Sequence, residues 1–270
     1  MYRISIVGAG NVAFRLSLAL VDKGFGIEYV CNRSEKNLER LLKALRSNGS
    51  SAAGATDLSC TLGSDIVIIA VSDGAIGSVI EELAGISDKC GTASLPVFLH
   101  TSGATPIDVF APLARLGAEY GVLYPLMTLS RNKNIDFKHV PMLLEASSDN
   151  VRSRLDAIAT ALGSEHYFYD SEYRLKMHVA AVFASNFVNY LLGLAFPIVQ
   201  RDHPLLLPLT LETVRNCYLH TPASTLTGPA RRGDMETIGK HLELLGKCGL
   251  TEQEEIYRLI TGKILEKIRK

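Results

Sequence analysis

Short apolar runs alternate with amphipathic segments along the first 169 residues of the chain. The run at 3–7 is followed by a segment at 12–23, whose apolar residues recur at helical spacing and which ends before Gly24. Strands that alternate with helices in this way predict a parallel sheet covered by helices. The same pattern predicts further strands at 27–31, 65–71, 96–100, 120–126, 141–145 and 166–169, and further helices at 35–46, 74–83 and 150–162.

After residue 169 the strand pattern stops and only helical periodicity remains. No internal repeat or low-complexity linker separates the two parts, so we expect a short connection between them. We therefore predict an α/β domain with a mostly parallel sheet over residues 1–169, followed by an all-α C-terminal domain over residues 170–270. Its predicted helices lie at 171–197, 205–218, 235–245 and 251–270.

The apolar segment at 179–199 is long enough to cross a bilayer. It also contains Asn186, Asn189 and Pro197, and asparagine is costly in hydrocarbon. We therefore predict no membrane span, but a helix that is buried on nearly all sides in a domain core or a subunit interface.

Composition excludes several classes of protein. Hydrophobic residues make up 47% of the chain, which excludes disorder. The 28 basic and 28 acidic residues leave a net charge of zero, so we expect no general attraction to nucleic acid or to anionic lipid. Five scattered cysteines without a CxxC pair, and a start without a secretory signal, predict a cytoplasmic protein. Its partner should be a small-molecule substrate bound in a specific pocket.

A GxGxxA pattern lies between the first strand and the first helix. Gly8 would permit the tight turn, Gly10 would leave room for a diphosphate, and Ala13 would let the helix pack closely on the strand. The helix start at Asn11 and Val12 would offer free N–H groups to the phosphates. A plain strand–helix turn is the alternative. The position of the pattern predicts a Rossmann-type dinucleotide-binding domain.

The end of the second strand distinguishes between two cofactors. Asn32, Arg33 and Ser34 stand where an NAD site usually carries Asp or Glu. A carboxylate there would repel a 2′-phosphate, whereas a guanidinium and a hydroxyl attract one. In the alternative interpretation, Arg33 is solvated and Ser34 only caps the next helix. We predict NADP(H) as the cofactor in preference to NAD(H).

Three further strand ends should matter, since ligands bind at the carboxyl ends of the strands in an open α/β sheet. The strand at 120–126 ends in Tyr124, Pro125 and Leu126. The strand at 65–71 ends in a segment that would border the diphosphate and the nicotinamide ribose. The strand at 96–100 ends in an imidazole and two hydroxyls near the expected nicotinamide. His100 is a candidate proton donor or substrate ligand, and the alternative is a hydrogen-bonded structural histidine. The other residues expected at the cofactor here are Val71, Ser72, Asp73, Thr101 and Ser102.

Polar residues on the C-terminal helices are candidates for the substrate site. His178 and Asn186 could face the substrate, with His178 as acid or base, or they could bond across a helix–helix interface. Arg231 or Arg232 could anchor an anionic substrate, while Asp234 caps the next helix. The remaining histidines show no metal-ligand spacing, so we predict no metal site.

Segments spread over nearly the whole chain resemble a family of Rossmann-like NADP oxidoreductases with an uncharacterised C-terminal helical domain. That family is related more distantly to pyrroline-5-carboxylate reductase and to coenzyme-dependent NADP reductases. The first two segments are widespread among NADP-binding folds, whereas HTSGA and the last two are more specific. The segments are IVGAGNVA at 6–13, CNRS at 31–34, AVSDGAI at 70–76, HTSGA at 100–104, YPLMTLS at 124–130, HVAAVFASNF at 178–187 and TGPARRGD at 227–234.

The resemblance implies a Rossmann domain followed by a helical domain that forms a homodimer and completes the substrate site. It transfers no catalytic roles. The similar β-hydroxyacid dehydrogenases carry a Lys-x-x-x-Asn pair, but Lys176 is followed four residues later by Ala180. This departure argues against a lysine-driven alcohol oxidation.

Two functional hypotheses follow. The first is an NADP-dependent reductase that moves hydride between C4 of the nicotinamide and a C=O or C=N carbon of a small, anionic metabolite. His100, His178 and Asn186 would surround the reacting carbon, and Arg232 would anchor the anion. The second is a non-catalytic dimer that binds NADP(H) as a sensor and passes that state to a partner protein.

Overall fold

A single eight-stranded sheet organises the N-terminal part of the molecule. The computed structural model describes residues 2–90 and 94–268. Every predicted strand is present within a few residues of its predicted bounds, and one additional short strand, β3, was not predicted. The strands are β1 (Arg3–Val7), β2 (Gly26–Cys31), β3 (Ala53–Ala55), β4 (Ile66–Ile69), β5 (Val97–His100), β6 (Tyr120–Pro125), β7 (Met142–Ala146) and β8 (His166–Phe168).

The strand order places a ligand crevice at the middle of the sheet. The order is β3-β2-β1-β4-β5-β6-β7-β8, and the first six strands are parallel. Strand β7 runs antiparallel to β6, and β8 is parallel to β7. The chain therefore adds β2 and β3 on one side of β1, and then adds β4 to β8 on its other side. Ligands bind at the carboxyl ends of the strands beside such a switch point, and the predicted Rossmann-type sheet is confirmed.

Helices cover both faces of the sheet and enclose two apolar cores. On one face α1, α2 and α5 contribute buried residues such as Leu16, Leu41 and Leu155. On the other face α3 and α4 contribute Ile80 and Leu113. The three layers hold the strand ends rigidly, because each strand is packed from both sides. The helices of this part are α1 (Asn11–Asp22), α2 (Glu35–Ser47), α3 (Asp73–Cys90), α4 (Ala111–Ala114), α5 (Asp149–Leu162) and α6 (Ser171–Ala181).

The chain divides into two compact units, residues 1–182 and residues 183–270. We call them the Rossmann unit and the helical unit. The division falls later than the predicted boundary after residue 169, because α6 belongs to the Rossmann unit. Two of its side chains, Arg174 and His178, bond to residues at the carboxyl edge of the sheet.

The helical unit contains no strand among its described residues, 183–268, as predicted. Its helices α10 and α11 both pack on α12. Asp234 caps α11 as expected, since its carboxylate accepts from the Thr237 N–H at 3.0 Å. The helices are α7 (Val188–Val199), α8 (Leu207–Leu219), α9 (Pro222–Thr225), α10 (Pro229–Arg232), α11 (Met235–Lys247) and α12 (Thr251–Ile268).

The helical run Ser171–Leu219 is long and apolar enough to span a membrane by length and composition alone. Its qualifying window has a mean hydropathy of 1.7, and none of that window is buried. Burial of this segment inside the core of a single chain is therefore a wrong prediction, and the subunit-interface alternative stays open. The run is also irregular, since Val182–Phe187 is π-helical and Gln200 has φ of 50°.

Candidate cofactor and active site

The turn after β1 can be made only by glycine at its first position. Gly8 has φ of 114°, and its N–H donates to the Cys31 carbonyl at 2.7 Å. A Cβ on Gly8 would lie 2.3 Å from the carbonyl oxygen of Ala70. Strands β1, β2 and β4 therefore approach one another around this residue too closely for any side chain.

The second glycine of the motif borders open space. Gly10 is the N-cap of α1, and a Cβ there would meet nothing closer than the Ala70 oxygen at 4.0 Å. No side chain caps the helix and no acidic residue lies in its first turn, so its free N–H groups and positive dipole end are available to an anion. A cavity of about 340 Å³ lies over this cradle. It is lined by Gly8, Ala9, Gly10, Asn11, Val12, Asn32, Ala70, Val71 and Ser72.

These features fit a dinucleotide diphosphate. Gly10 lines the cavity without a side chain, so space remains in which phosphates can reach the helix start. Ala13 is 1% exposed, which shows the close helix–strand packing expected at the third motif position.

A second cavity, of about 140 Å³, extends along the ends of β1 and β2. Arg33 lines it and is otherwise exposed, while Glu82 of α3 supplies an acidic group to the same wall. Ser34 occupies the N-cap position of α2, but its side chain makes no capping hydrogen bond. The expected side-chain cap is thus absent. Asn32 closes the turn by donating from Nδ2 to the Ser34 carbonyl at 2.8 Å.

The other predicted cofactor residues lie at neighbouring strand ends. Val71 and Ser72 follow β4 and line the cavity over the glycine loop. Asp73 is exposed and begins α3. Thr101 and Ser102 follow β5, are 7% and 5% exposed, and line neither cavity. Their contact with a cofactor stays a prediction.

His100 is enclosed in the core of the Rossmann unit. Its side chain is fully buried and stacks on Phe110 with ring centroids 5.5 Å apart. Its Nδ1 accepts from the Ser102 N–H at 3.2 Å. Burial, assisted by the positive charge of Arg174, lowers the pKa of His100 to about 3, so the ring is neutral near pH 7. This position fits the structural histidine that the sequence left open as the alternative.

Arg174 on α6 fixes the loop that follows β5. Its guanidinium is fully buried and donates from Nη1 to the carbonyls of Ser102, Gly103 and Thr105 at 2.9, 3.2 and 2.7 Å. Its Nη2 pairs with Glu145 of β7 at 2.8 Å. One buried charge thus links α6, β7 and the loop. Removing one partner of such a buried pair lowers the free energy of unfolding by about 3–5 kcal/mol.

A tyrosine and a histidine meet beside this loop. The Tyr124 hydroxyl, at the end of β6, lies 3.0 Å from Nδ1 of His178, which stands one turn after Arg174 on α6. Both side chains are partly buried. A Cβ on Gly103 would lie 2.6 Å from Cζ of Tyr124 and 2.7 Å from Nδ1 of His178. The loop therefore needs glycine at this position to admit the pair.

The Tyr124 hydroxyl is held in its protonated form. Burial raises the pKa of Tyr124, the negative charge of Asp73 raises it further, and the positive charge of Arg174 opposes both. A phenol that stays protonated at neutral pH and hydrogen-bonds to an imidazole can act as a proton donor.

Sequence reasoning found His178 and located Tyr124 at a strand end that should matter, but it gave Tyr124 no role and missed the supporting Arg174 and Glu145. Tyr124 lies at a strand end, the position that singled out His100. The pairing itself joins residues 54 positions apart, which a single sequence does not show.

Two other predicted catalytic residues belong to the helical unit. Asn186 is exposed in the π-helical segment, and Arg232 is exposed at the end of α10 with a carboxylate oxygen of Asp234 at 3.9 Å. Their roles stay predictions. In the described part of the chain, no group of three metal-ligating side chains is placed to hold an ion.

Replacing Glu145 with Gln should destabilise the Rossmann unit strongly. The change removes the charge partner of a fully buried guanidinium, and breaking a buried pair in this way costs about 3–5 kcal/mol. Urea denaturation followed by circular dichroism measures the loss. The control is Glu172→Gln, which removes an exposed pairing with Lys176 on the same helix and should change the midpoint little. Equal midpoints for the two variants would show that the Glu145 contact contributes no more to the free energy of unfolding than an exposed ion pair.

Family comparisons match both parts of the chain. The family described as "NADP oxidoreductase coenzyme F420-dependent" matches residues 3–90, and the "Domain of unknown function (DUF2520)" matches residues 140–264. No curated protein matches the chain.

Several solved structures resemble the whole chain. BF3122 from Bacteroides fragilis, provisionally described as an NADP oxidoreductase, is 32% identical with a TM-score of 0.85, and the match covers 98% of each chain. A reductive aminase from Aspergillus terreus, in complex with NADPH and ethyl-5-oxohexanoate, is 15% identical with a TM-score of 0.72, over 100% of this chain and 94% of that one. A pyrroline-5-carboxylate reductase from Coxiella burnetii is 16% identical with a TM-score of 0.57, over 98% and 97% of the two chains.

The reductive aminase and pyrroline-5-carboxylate reductase share the fold, whereas the Bacteroides fragilis protein also shares sequence along its whole length. The geometry of the glycine loop agrees with a nicotinamide dinucleotide as the cofactor. The chain therefore belongs to the family of Rossmann-type NAD(P)-binding oxidoreductases in which an NADP oxidoreductase domain is combined with the DUF2520 domain.

Proposed function

We propose that this protein is an NADP(H)-dependent reductase that transfers hydride to or from a C=O or C=N carbon of a small metabolite. The observation that carries this proposal is the hydrogen bond between the Tyr124 hydroxyl and His178, at the carboxyl edge of the sheet that also forms the glycine loop. A reductase needs a bound cofactor and a proton donor at one edge, and this unit carries residues for both.

The preference for NADP(H) is supported by the end of β2. The three residues after this strand, Asn32 to Ser34, include no carboxylate, and Arg33 lines the adjoining cavity, with Glu82 as an acidic group in the same lining. The Ser34 hydroxyl is not used for capping and can therefore bond to a phosphate. Both groups favour a ribose 2′-phosphate over a 2′-hydroxyl.

We expect NADPH to stabilise the purified protein more than NADH at equal concentration. A ligand at 100 times its Kd adds about 2.7 kcal/mol to the free energy of unfolding, which is several degrees in Tm. Thermal unfolding with each nucleotide from micromolar to millimolar concentration measures the difference. Larger stabilisation by NADH would overturn the NADP preference. If neither nucleotide raises the Tm, the oxidoreductase proposal is wrong.

The bound nicotinamide supplies or accepts the hydride, and the protein supplies orientation and a proton. With Nδ1 protonated, His178 donates to the Tyr124 oxygen and leaves the phenolic proton free for the substrate. Tyr124 then gives this proton to the nitrogen or oxygen of the reacting double bond, and His178 stabilises the phenolate that remains. Arg174 assists by holding loop 102–105 beside the pair. The predicted contributions of Asn186 and Arg232 to substrate binding are part of this proposal.

Replacing Tyr124 with Phe should lower kcat by about 10²–10⁴, the usual contribution of a positioned proton donor. The Kd for NADPH should stay unchanged, because the ring and its packing are retained. NADPH oxidation against a panel of cyclic imines, keto acids and aldehydes identifies the substrate class and then measures the variant. Tyr173→Phe, an exposed tyrosine on α6, is the control and should retain full activity.

Two results would contradict this assignment. Full activity in Tyr124→Phe would exclude the phenol as the proton donor. If the wild-type protein binds NADPH but reduces no member of the panel, the result would favour the non-catalytic sensor.

We also propose a homodimer formed through the helical unit. Leu205, Leu211 and Tyr218 are 78, 61 and 82% exposed, and further large apolar side chains of the same helices are exposed, such as Leu207, Leu209 and Leu219. A patch of this kind on a soluble protein marks an interaction surface, and a second copy of the chain is the simplest partner. The five free cysteines fit the reducing cytoplasm as its location.

Sedimentation velocity should give twice the chain mass for the wild-type protein at micromolar concentration. Leu211→Arg should shift the equilibrium toward the monomer, since it buries a charge in the interface. Leu116→Arg, at a less apolar surface of the Rossmann unit, should leave the dimer intact. A monomeric wild-type protein, or one recovered only with membranes and detergent, would refute the dimer.

A further inference from the structure

The loop after β6 is tied to the first helix. Arg15 on α1 is 9% exposed and donates from Nε to the Ser130 carbonyl at 2.8 Å. Its Nη2 donates to the Arg131 carbonyl at 2.6 Å. These two bonds fix the backbone of residues 130 and 131 beside α1, although β6 and α1 are far apart in sequence.

From this anchored position, the side chain of Arg131 connects the two turns that bind the cofactor. Its Nη2 donates to the carbonyl of Ala9, the residue between the two motif glycines, at 2.7 Å. Its Nη1 donates to Oδ1 of Asn37, in the first turn of α2, at 3.0 Å. The guanidinium therefore lies between the glycine loop and the start of α2, where Arg33 and Ser34 are found.

The charge of Arg131 has no acidic partner. In the described parts of the chain, no carboxylate lies within 4.0 Å of its guanidinium. The two bonds to Ala9 and Asn37 use two of the five N–H donors, which leaves three: one on each terminal nitrogen and the Nε–H, which is buried without a partner among the described residues. A partly buried cation held by neutral acceptors is well suited to receive an anion.

We propose that Arg131 is a second cationic ligand of the ribose 2′-phosphate and sets the preference for NADP(H) together with Arg33. This inference rests on the proposed function. The diphosphate belongs over the N-terminus of α1, whereas the 2′ position of the ribose lies at the end of β2. The contact with Asn37, three residues after Ser34, places Nη1 of Arg131 at the first turn of α2, next to the turn that carries Arg33 and Ser34. Two planar guanidiniums can then bind one phosphate from both sides.

Titration calorimetry with two nucleotide fragments tests this role without any turnover. Adenosine 2′,5′-bisphosphate carries both phosphates of the adenosine half, and 5′-AMP lacks only the 2′-phosphate. Arg131→Met should lower the affinity for the bisphosphate by about 10- to 100-fold, as expected when charge-assisted hydrogen bonds are lost. Its affinity for 5′-AMP should fall by much less, because the substitution disturbs the glycine loop through the lost bond to the Ala9 carbonyl but removes no contact with the 5′-phosphate.

Three further variants sharpen the test. Arg33→Met should reproduce the selective loss, and Arg40→Met, an exposed arginine farther along α2, should bind both fragments like wild type. Arg131→Lys keeps the charge but cannot reach both Ala9 and Asn37, so it should recover only part of the affinity. The Tm without ligand shows whether each variant is folded.

The outcomes separate the two proposals. If the Arg131→Met protein is folded and its affinity for both fragments falls equally, the residue acts on the diphosphate or on the loop, and the inference is overturned. Unchanged binding of both fragments also overturns it. If the wild-type protein binds neither fragment and no NADPH, the proposed function fails instead. A wild-type protein that prefers the bisphosphate, with a selective loss in Arg131→Met, supports the inference.

Discussion

The buried charge of Arg174 is the interaction on which the active edge of this molecule depends. A guanidinium without water around it must be compensated by hydrogen bonds and by an opposite charge. Here Glu145 supplies the charge, and three carbonyls of loop 102–105 supply acceptors. Because these partners come from a strand and a loop, the charge is compensated only when both are in place. The bonds of Arg174 thereby fix the position of α6 relative to the sheet.

The cofactor side of the edge uses a different principle. The glycine loop offers backbone N–H groups and open space rather than charged side chains, and its shape follows from the close approach of three strands at Gly8. The whole chain is electrically neutral, yet Arg33 and Arg131 both lie near the start of α2, and Arg131 has no acidic partner among the described residues. Two guanidiniums at one turn of a neutral protein favour a specific anion over non-specific binding to polyanions, and Glu82 is the acidic group that lines the same cavity as Arg33.

Much of the fold could be predicted from the sequence because the strands that form the centre of the sheet are uninterrupted apolar runs. Strand β3, Ala-Gly-Ala, was missed because three small residues carry no such signal, and it forms only by pairing with β2. The glycine motif could be located because its chemistry is local: turn, cradle and helix start follow one another in the chain. The exposure of the long apolar helix could not be predicted, since the same pattern suits a core and an interface.

The candidate chemistry was harder to predict because it depends on contacts between distant segments. His100 ends a strand whose four residues are all buried, so no alternation of apolar and polar positions tells whether its ring faces the core or the crevice. Only the fold shows that it stacks on Phe110. Tyr124 and His178 come together because β6 and α6 are both fixed to the same edge, and Arg131 reaches Ala9 because Arg15 holds its backbone.

Gly103 contacts both the buried Arg174 and the Tyr124–His178 pair. Its carbonyl accepts from Arg174, so the loop is drawn toward α6 by the same charge that anchors the helix. Its Cα is so close to Tyr124 and His178 that a methyl group would force the two side chains out of their positions. The buried ion pair therefore does more than stabilise the unit, because Arg174 also holds the loop whose glycine lies against Tyr124 and His178. A rigid pair of this kind needs little reorganisation when a proton is transferred, which is the condition under which a polar site accelerates a reaction.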